Sequence, residues 1–209
     1  KKTDDPLISF LKKEKILFFR GNEKDVLKRM LEAAKQFSTD IIIDVEGDKI
    51  YTDPKLVDLV VKQFLDLKNE FVIGSRNNKK FDPTDHFIHG VFPAAFKIEV
   101  LEKICKEKKS KNTETGYKEL FLENGICKKK FVTLPSAIEI PDDIRLTVDY
   151  PEDLTLAKDI FSSLKKDFDY KDIIKLYKKN PKIFEATNTI SKQWELNYNK
   201  KLIKKSLRF

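Results

Sequence analysis

Apolar positions along the chain fall into short continuous runs and into helical stripes, and the two kinds alternate. The run "DIIIDV" at 40–45 carries Ile41, Ile42, Ile43 and Val45 and predicts a buried strand. "FVIG" at 71–74, "GVFPAAF" at 90–96 and "ILFFRG" at 16–21 read as strands too. Between them lie stripes. In "NEKDVLKRMLEAAKQF", Val26, Leu27, Met30, Leu31 and Ala34 recur at helical spacing, with Asn22 placed to cap. "TDPK" opens another helix, with Asp53 as cap and Pro54 in the first position. "DDPLISFLKKEK" and "KIEVLEKICKEK" are also helical in pattern.

After residue 111 the pattern loosens. "TETGYKELFLENG" predicts a helix, "KKFVTLP" an extended segment, and "RLTVDYPEDLTLAKDIFSSL" a strand, a turn and a long helix. From Tyr170 the chain is helical and more polar, broken near Asn180 and Pro181. Short links between apolar strands and helices predict an α/β fold whose mostly parallel sheet is covered on both faces. Residues 1–164 are expected to form that domain. Residues 165–209 are expected as a C-terminal helical extension packing on the domain or on a partner subunit.

Composition changes this picture little. The chain has 209 residues, enough for one such domain, and no apolar run approaches the ~18 residues of a membrane span. No stretch has the basic start, apolar middle and small-residue site of a secretory signal. Cys105 and Cys127 are too few and too isolated for a disulfide framework, so the expected setting is the cytoplasm. Net charge changes more once it is located. Residues 165–209 hold 13 Lys and Arg against 5 Asp and Glu, which accounts for the whole net +8. Those lysines are scattered, which predicts a solvated basic surface rather than a nucleic-acid groove.

Candidate chemistry sits at strand ends, where an open α/β sheet binds its ligands. Asp48 follows the isoleucine strand and Asp149 closes "RLTV". Brought together, two such carboxylates suit Mg²⁺, a hard cation that bridges phosphate oxygens. Taken singly, each reads more simply as a turn former or helix cap. Asp44 and Glu46 alternate with Asp48 and share its face, which suggests a structural salt bridge or an exposed strand end. Asp153 reads as a helix-start acid. His86 and His89, beside Asp85, crowd like zinc ligands but lack a third soft ligand, so they read as surface or acceptor-pocket groups. Arg76, just after "FVIG", is a candidate for binding an acceptor, and Trp194, Leu196 and Tyr198 are expected to pack the tail.

Two stretches carry a resemblance: "FFRGNEKDVLKRMLEAAKQFSTDIIIDVEGDKIYTDPKLVDLVVKQFL" and "RLTVDYPEDLTLAKDIF". Together they resemble the cytidylyltransferase family that includes acylneuraminate and Kdo cytidylyltransferases, and within it the spore-coat polysaccharide branch. The resemblance implies a Rossmann-like three-layer nucleotide-sugar transferase fold. It also implies a reaction in which an acceptor oxygen attacks the α-phosphate of CTP with Mg²⁺ and releases pyrophosphate. On that pattern Asp48 and Asp149 are catalytic metal-ligand positions. Arg20, Gly21, Asn22 and Asp25 of "RGNEKD" lie by the nucleotide, and His89, Glu114 and Thr115 by the acceptor. The implied partners are CTP, a sugar acid or related acceptor, and a second copy of the chain in a homodimer.

Several positions depart from the family pattern. Phe92 and Ala94 stand where the family has acids, and "TETG" at 113–116 stands where it has "REHV". An acceptor unlike the usual sugar acids is therefore expected. The family's opening strand and basic, glycine-containing triphosphate loop have no counterpart from Lys1 onward, so that segment is expected upstream or elsewhere. The alternative is a non-catalytic binding or assembly module that retains the sheet.

Overall fold

A computed structural model describes residues 2–66, 68–123, 125–135 and 139–204, and residues 205–209 of the expected tail lie outside it. Four strands form one sheet: β1 (Ile41–Asp44), β2 (Phe71–Gly74), β3 (Ala94–Lys97) and β4 (Lys129–Val132). Their spatial order is β1-β3-β2-β4. Strands β1, β2 and β4 run the same way, and β3 runs against them between β1 and β2. The expected parallel sense thus holds for strand direction, while two of the three pairings are antiparallel.

Helices cover both faces, and the alternation along β2 shows how. Phe71 and Ile73 point into one core, built with Leu27 of α2 (Val26–Gln36), Leu101 and Ile104 of α5 (Ile98–Glu107), and Phe121 of α6 (Glu119–Leu122). Val72 points into the other. That second core takes Leu56 and Val60 of α3 (Pro54–Asp66), Phe87 of α4 (His86–Val91) and Ile160 of α7 (Pro151–Ser163). The tail joins it through Ile173 and Ile174 of α8 (Tyr170–Lys179) and through Phe184. The last helix, α9 (Glu185–Lys204), packs on α7 and on the 3₁₀ turn Pro181–Phe184. A short α1 (Asp5–Lys13) buries none of its residues.

Four local expectations are corrected. "ILFFRG" is not a strand: no ladder reaches it among the described residues, and Ile16 and Leu17 stay exposed. Apolar character predicts burial, but a strand also needs a neighbouring edge to bond. "GVFPAAF" splits into the end of α4 and strand β3. "TETGYKELFLENG" yields only the four-residue α6. "RLTV" lies outside the sheet with Arg145, Leu146 and Thr147 buried and Val148 half-buried, tied by the Val148 amide to the Asp48 carbonyl at 2.9 Å. One cap also moves. Asp25, not Asn22, caps α2 by accepting from the Lys28 amide, while the Asn22 side chain accepts from the amides of Lys24 and Asp25. Asp53 caps α3 as expected, accepting from the Lys55 amide at 2.8 Å.

Gly90 sets how closely the 145–149 segment approaches α4. A Cβ there would lie 2.5 Å from the carbonyl oxygen of Leu146, and backbone cannot swing aside as a side-chain tip can. Gly90→Ala is expected to destabilise the fold by about 2–3 kcal/mol, the upper range for overpacking. Urea unfolding checks this, and an unchanged midpoint would refute it.

Candidate active site

Two turns build the site. The chain leaves β1, turns with the Lys49 amide donating to the Glu46 carbonyl, and presents Asp48. The extended 145–149 segment lies alongside and presents Asp149 just before α7. The Val148–Asp48 backbone bond holds the two turns together. Asp48 and Asp149 both line one cleft of about 880 Å³, so the structure converges two acids that are a hundred residues apart in sequence. Burial first, then the charges of Glu46 and Asp149, push the Asp48 carboxyl above its ordinary range.

On the β1 side a buried ionic cluster supports Asp48. Tyr117 Oη donates to Asp44 at 2.6 Å and lies 2.9 Å from Glu46. Lys118 Nζ bonds Glu46 at 2.8 Å and reaches Asp44 at 3.3 Å, and Lys49 also pairs with Glu46. Burial alone would raise the Glu46 carboxyl, but Lys118 and Lys49 hold it well below its usual range. Burial and the neighbouring Lys118 push the Lys49 ammonium down, whereas Asp44 and Glu46 raise Lys118 against its burial. Asp44 and Glu46 are therefore structural salt-bridge acids, and Lys49 and Lys118 hold the Asp48 turn in place.

On the other side Arg145 organises the site. It is 1% exposed, bonds Asp153 through Nε at 3.0 Å and pairs with Asp149 through Nη2. Its Nη1 lies 3.1 Å from the His86 ring. Asp153 is the expected helix-start acid: its Oδ2 accepts from the amides of Asp149 and Tyr150 at 2.9 and 3.0 Å. Asp149 Oδ2 also accepts from Thr147 Oγ1 at 3.1 Å. Its second oxygen has no partner among the described residues and remains open for a ligand. An arginine inside the apolar stretch "IRLTV" was the available signal, because a buried guanidinium requires partners.

His86 and His89 line the cleft and are both buried. No group of three or more potential metal ligands occurs among the described residues, so the zinc reading gains nothing. Burial and then Arg145 push the His86 ring down to about 3; burial and then Lys49 push His89 down to about 4. His89 Nε2 lies 2.7 Å from the Asp82 carbonyl. A histidine buried neutral stabilises the fold above its unfolded value of 6.5, and that contribution fades as pH falls toward the folded value. His89→Gln is expected to remove a loss on the order of 3 kcal/mol between pH 6.5 and 4. Denaturant titrations across that range test this, and parallel stability curves for the two proteins would contradict it.

The other expected residues divide. Glu114 and Thr115 line the cleft. Arg76 does not: it bonds Asp85, the α4 cap, at 2.8 Å and the Ile140 carbonyl at 2.8 Å, bracing a loop against that helix. Arg20, Gly21, Asn22 and Asp25 also lie outside the cleft lining. Arg20 pairs with Asp5 at 2.7 Å, and the space a Gly21 side chain would need is taken by Arg29, whose Cγ would lie 2.8 Å away. Asp25 is 4% exposed and bonds Lys108 at 2.5 Å and Thr113 at 3.1 Å, so it joins the start of α2 to the 113–116 loop.

Helix α9 supplies the remaining wall. Trp194 stacks on Tyr198 with centroids 4.7 Å apart and meets the His86 ring edge-on at 4.5 Å. Tyr198 Oη donates to Glu119 Oε1, while Glu119 Oε2 is buried without a partner among the described residues. Leu196, expected beside them, is exposed on the opposite side of the helix. Sequence pattern marks Trp194 and Tyr198 as packing residues but does not show that they face a cleft.

Comparison with known proteins places the chain in a family and its fold beside a solved structure. The sequence profile described as "Cytidylyltransferase" matches residues 2–190, and the chain belongs to that family. It is 30% identical over 195 residues to the uncharacterized protein MJ1063 of Methanocaldococcus jannaschii, covering 91% of this chain and 74% of that one. The spore coat polysaccharide biosynthesis protein SpsF of Bacillus subtilis is 22% identical over 188 residues, covering 87% and 72%. A solved cytidylyltransferase from Leptospira borgpetersenii superposes with a TM-score of 0.70 at 29% identity, covering 88% of this chain and 75% of that structure. The Rossmann-like α/β architecture is thereby shared with that enzyme.

Proposed function

We propose that this protein transfers CMP from CTP to a sugar-acid or related acceptor, releasing pyrophosphate, in the biosynthesis of a surface polysaccharide. The observation that carries the reading is the convergence of Asp48 and Asp149 at one cleft in a chain of the cytidylyltransferase family. Their chemistry fits Mg²⁺: an Asp149 oxygen with no partner among the described residues, and an Asp48 carboxylate whose ionisation is opposed by burial and then by the charges of Glu46 and Asp149. Mg²⁺ typically takes one or two carboxylates and completes its shell with water and substrate phosphates. When bound, the cation neutralises charge on the triphosphate and stabilises the departing pyrophosphate.

The chain's own residues do the rest. The acceptor oxygen bonds the α-phosphorus as the bond from that phosphorus to the bridging oxygen breaks, and the acceptor proton passes to solvent. Arg145 and Thr147 hold the Asp149 carboxylate by one oxygen, which fixes the direction of the other. Lys49, Lys118 and Tyr117 keep Glu46 and Asp44 occupied, so they do not compete for the cation. His89, Glu114 and Thr115 form the acceptor side of the same cleft in this reading.

The test is calorimetry with CTP and Mg²⁺, followed by pyrophosphate release over a panel of sugar acids and polyol phosphates. Mg²⁺-dependent CTP binding and turnover are expected. A protein that ignores CTP would be a binding module that retains the sheet. The reading also includes a homodimer in the cytoplasm, checked by sedimentation. No helix among the described residues is long and apolar enough to cross a membrane.

A further inference from the structure

The cleft is unevenly charged. Five acids line it, Glu46, Asp48, Glu114, Asp149 and Glu119, the last bonded to Tyr198, and the cations beside the first turn, Lys49 and Lys118 in the lining and Arg145 behind it, are all committed to carboxylates. An anionic ligand reaching the acids would therefore be repelled unless its charge were met elsewhere. The remaining cations lining the cleft are Lys200 and Lys201, both on α9 and both exposed, with no ion pair among the described residues.

Five α9 residues line the cleft, and their spacing explains how. Trp194, Asn197, Tyr198 and Lys201 recur at intervals of three and four, hence on one helix face, and Lys200 flanks it. This face is anchored. Trp194 lies between Tyr198 and the His86 ring, with Arg145 Cζ 5.7 Å from its centroid, and Tyr198 is bonded to Glu119. Rings held on both sides do not swing, so they form a rigid wall that positions Asn197 and the two lysines one turn further on. A rigid aromatic wall with an adjacent amide and two cations that have no ion pair among the described residues is suited to a hydroxylated small molecule carrying an acidic group.

We infer that this face of α9 is the acceptor-specificity wall of the site: Lys200 and Lys201 bind the acceptor's anionic group, and Asn197 and the Trp194–Tyr198 pair seat its hydroxylated body. This rests on the CMP-transfer reading and deepens it. The acidic group is a carboxylate or a phosphate, and the acceptor is oriented with its charge at α9 and its attacking oxygen toward Asp48 and Asp149.

Trp194 is the sole tryptophan of the chain, so its emission reports directly on this wall. The protein would be titrated with N-acetylneuraminate for the carboxylate arm, ribitol 5-phosphate for the phosphate arm, and ribitol as the uncharged control. At least one charged probe is expected to change Trp194 emission, and ribitol is not. The Lys200→Glu/Lys201→Glu variant should weaken that probe about tenfold or more. The Lys200→Gln/Lys201→Gln variant should lose less. Both substitutions are on solvated positions, and unchanged melting temperatures would confirm intact folds.

CTP with Mg²⁺, titrated in parallel, should bind both variants as it binds the parent protein. The inference is overturned if neither charged probe alters emission up to about 10 mM, well above a weak millimolar site. It is equally overturned if ribitol matches the charged probes, or if the charge-reversed protein binds them unchanged. Loss of CTP binding in the parent protein would instead sink the nucleotidyl-transfer reading. CTP binding with indifferent lysines would sink the α9 wall alone.

Discussion

Asp48→Asn is expected to reduce CMP transfer by on the order of 10²–10³-fold while raising the melting temperature of the ligand-free protein. The two effects have one cause. The Asp48 carboxylate is partly buried and faces the charges of Glu46 and Asp149, which raises it above its ordinary value of 3.8. Between that value and the raised one the folded chain binds more protons than the unfolded chain. Stability therefore falls as pH rises through the window, and at neutral pH the ionised carboxylate opposes folding.

Asparagine removes that cost but supplies no anionic oxygen. Charge stabilisation at a reacting phosphoryl group is worth about 10²–10³ per group removed. Asp149→Asn should lose activity comparably, but without the gain in stability, because Asp149 is paired with Arg145. Pyrophosphate release and thermal melts without divalent cation measure both quantities. An Asp48→Asn protein that turns over normally would remove the site assigned to it, and one that melts lower would refute the electrostatic account.

The second large effect is in stability. Arg145→Met is expected to destabilise the fold by about 3–5 kcal/mol, the range for removing one partner of a buried ion pair. The side chain is fully buried, and its loss strands Asp153 at 2% exposure as well as Asp149. Asp153 still accepts two backbone amides, which sets a limit on the damage. The Arg145→Lys protein should recover only part of the loss, because an ammonium cannot serve Asp153, Asp149 and the His86 ring from the geometry of a planar fork. Urea midpoints of the two variants decide this, and a Met variant within 1 kcal/mol of the parent would refute the role given to Arg145.

Some of this was legible because the signals are local. The stripe Val26–Ala34 and the Asp53-Pro54 start each lie within a few turns of chain, and both helices form where the pattern puts them. Asp153 at the head of α7 is read from the preference of acids for a first helical turn. The failures are long-range. Asp44 meets Tyr117 across 73 residues and Asp25 meets Lys108 across 83, and no spacing rule reports such pairs. Asp25 therefore looks available for a ligand in sequence, although in space its carboxylate is fully engaged. Arg76 is the same case: a cation just after a strand end, committed in the structure to the α4 cap and the 140–142 loop.

Sequence by itself determined the longer helices α2, α3, α5 and α7, the isoleucine strand with an acid after it, the family, and the pair Asp48 and Asp149 as candidates, because hydrophobic period, caps and short motifs are encoded within a few residues. Tertiary structure alone decided that β3 runs backward between β1 and β2, that "RLTV" lies outside the sheet, that Lys49, Lys118 and Arg145 are committed to carboxylates, and that α9 turns its aromatic face into the cleft. Each of these depends on which distant group completes a hydrogen bond or balances a buried charge, and that choice is made only when the chain has packed.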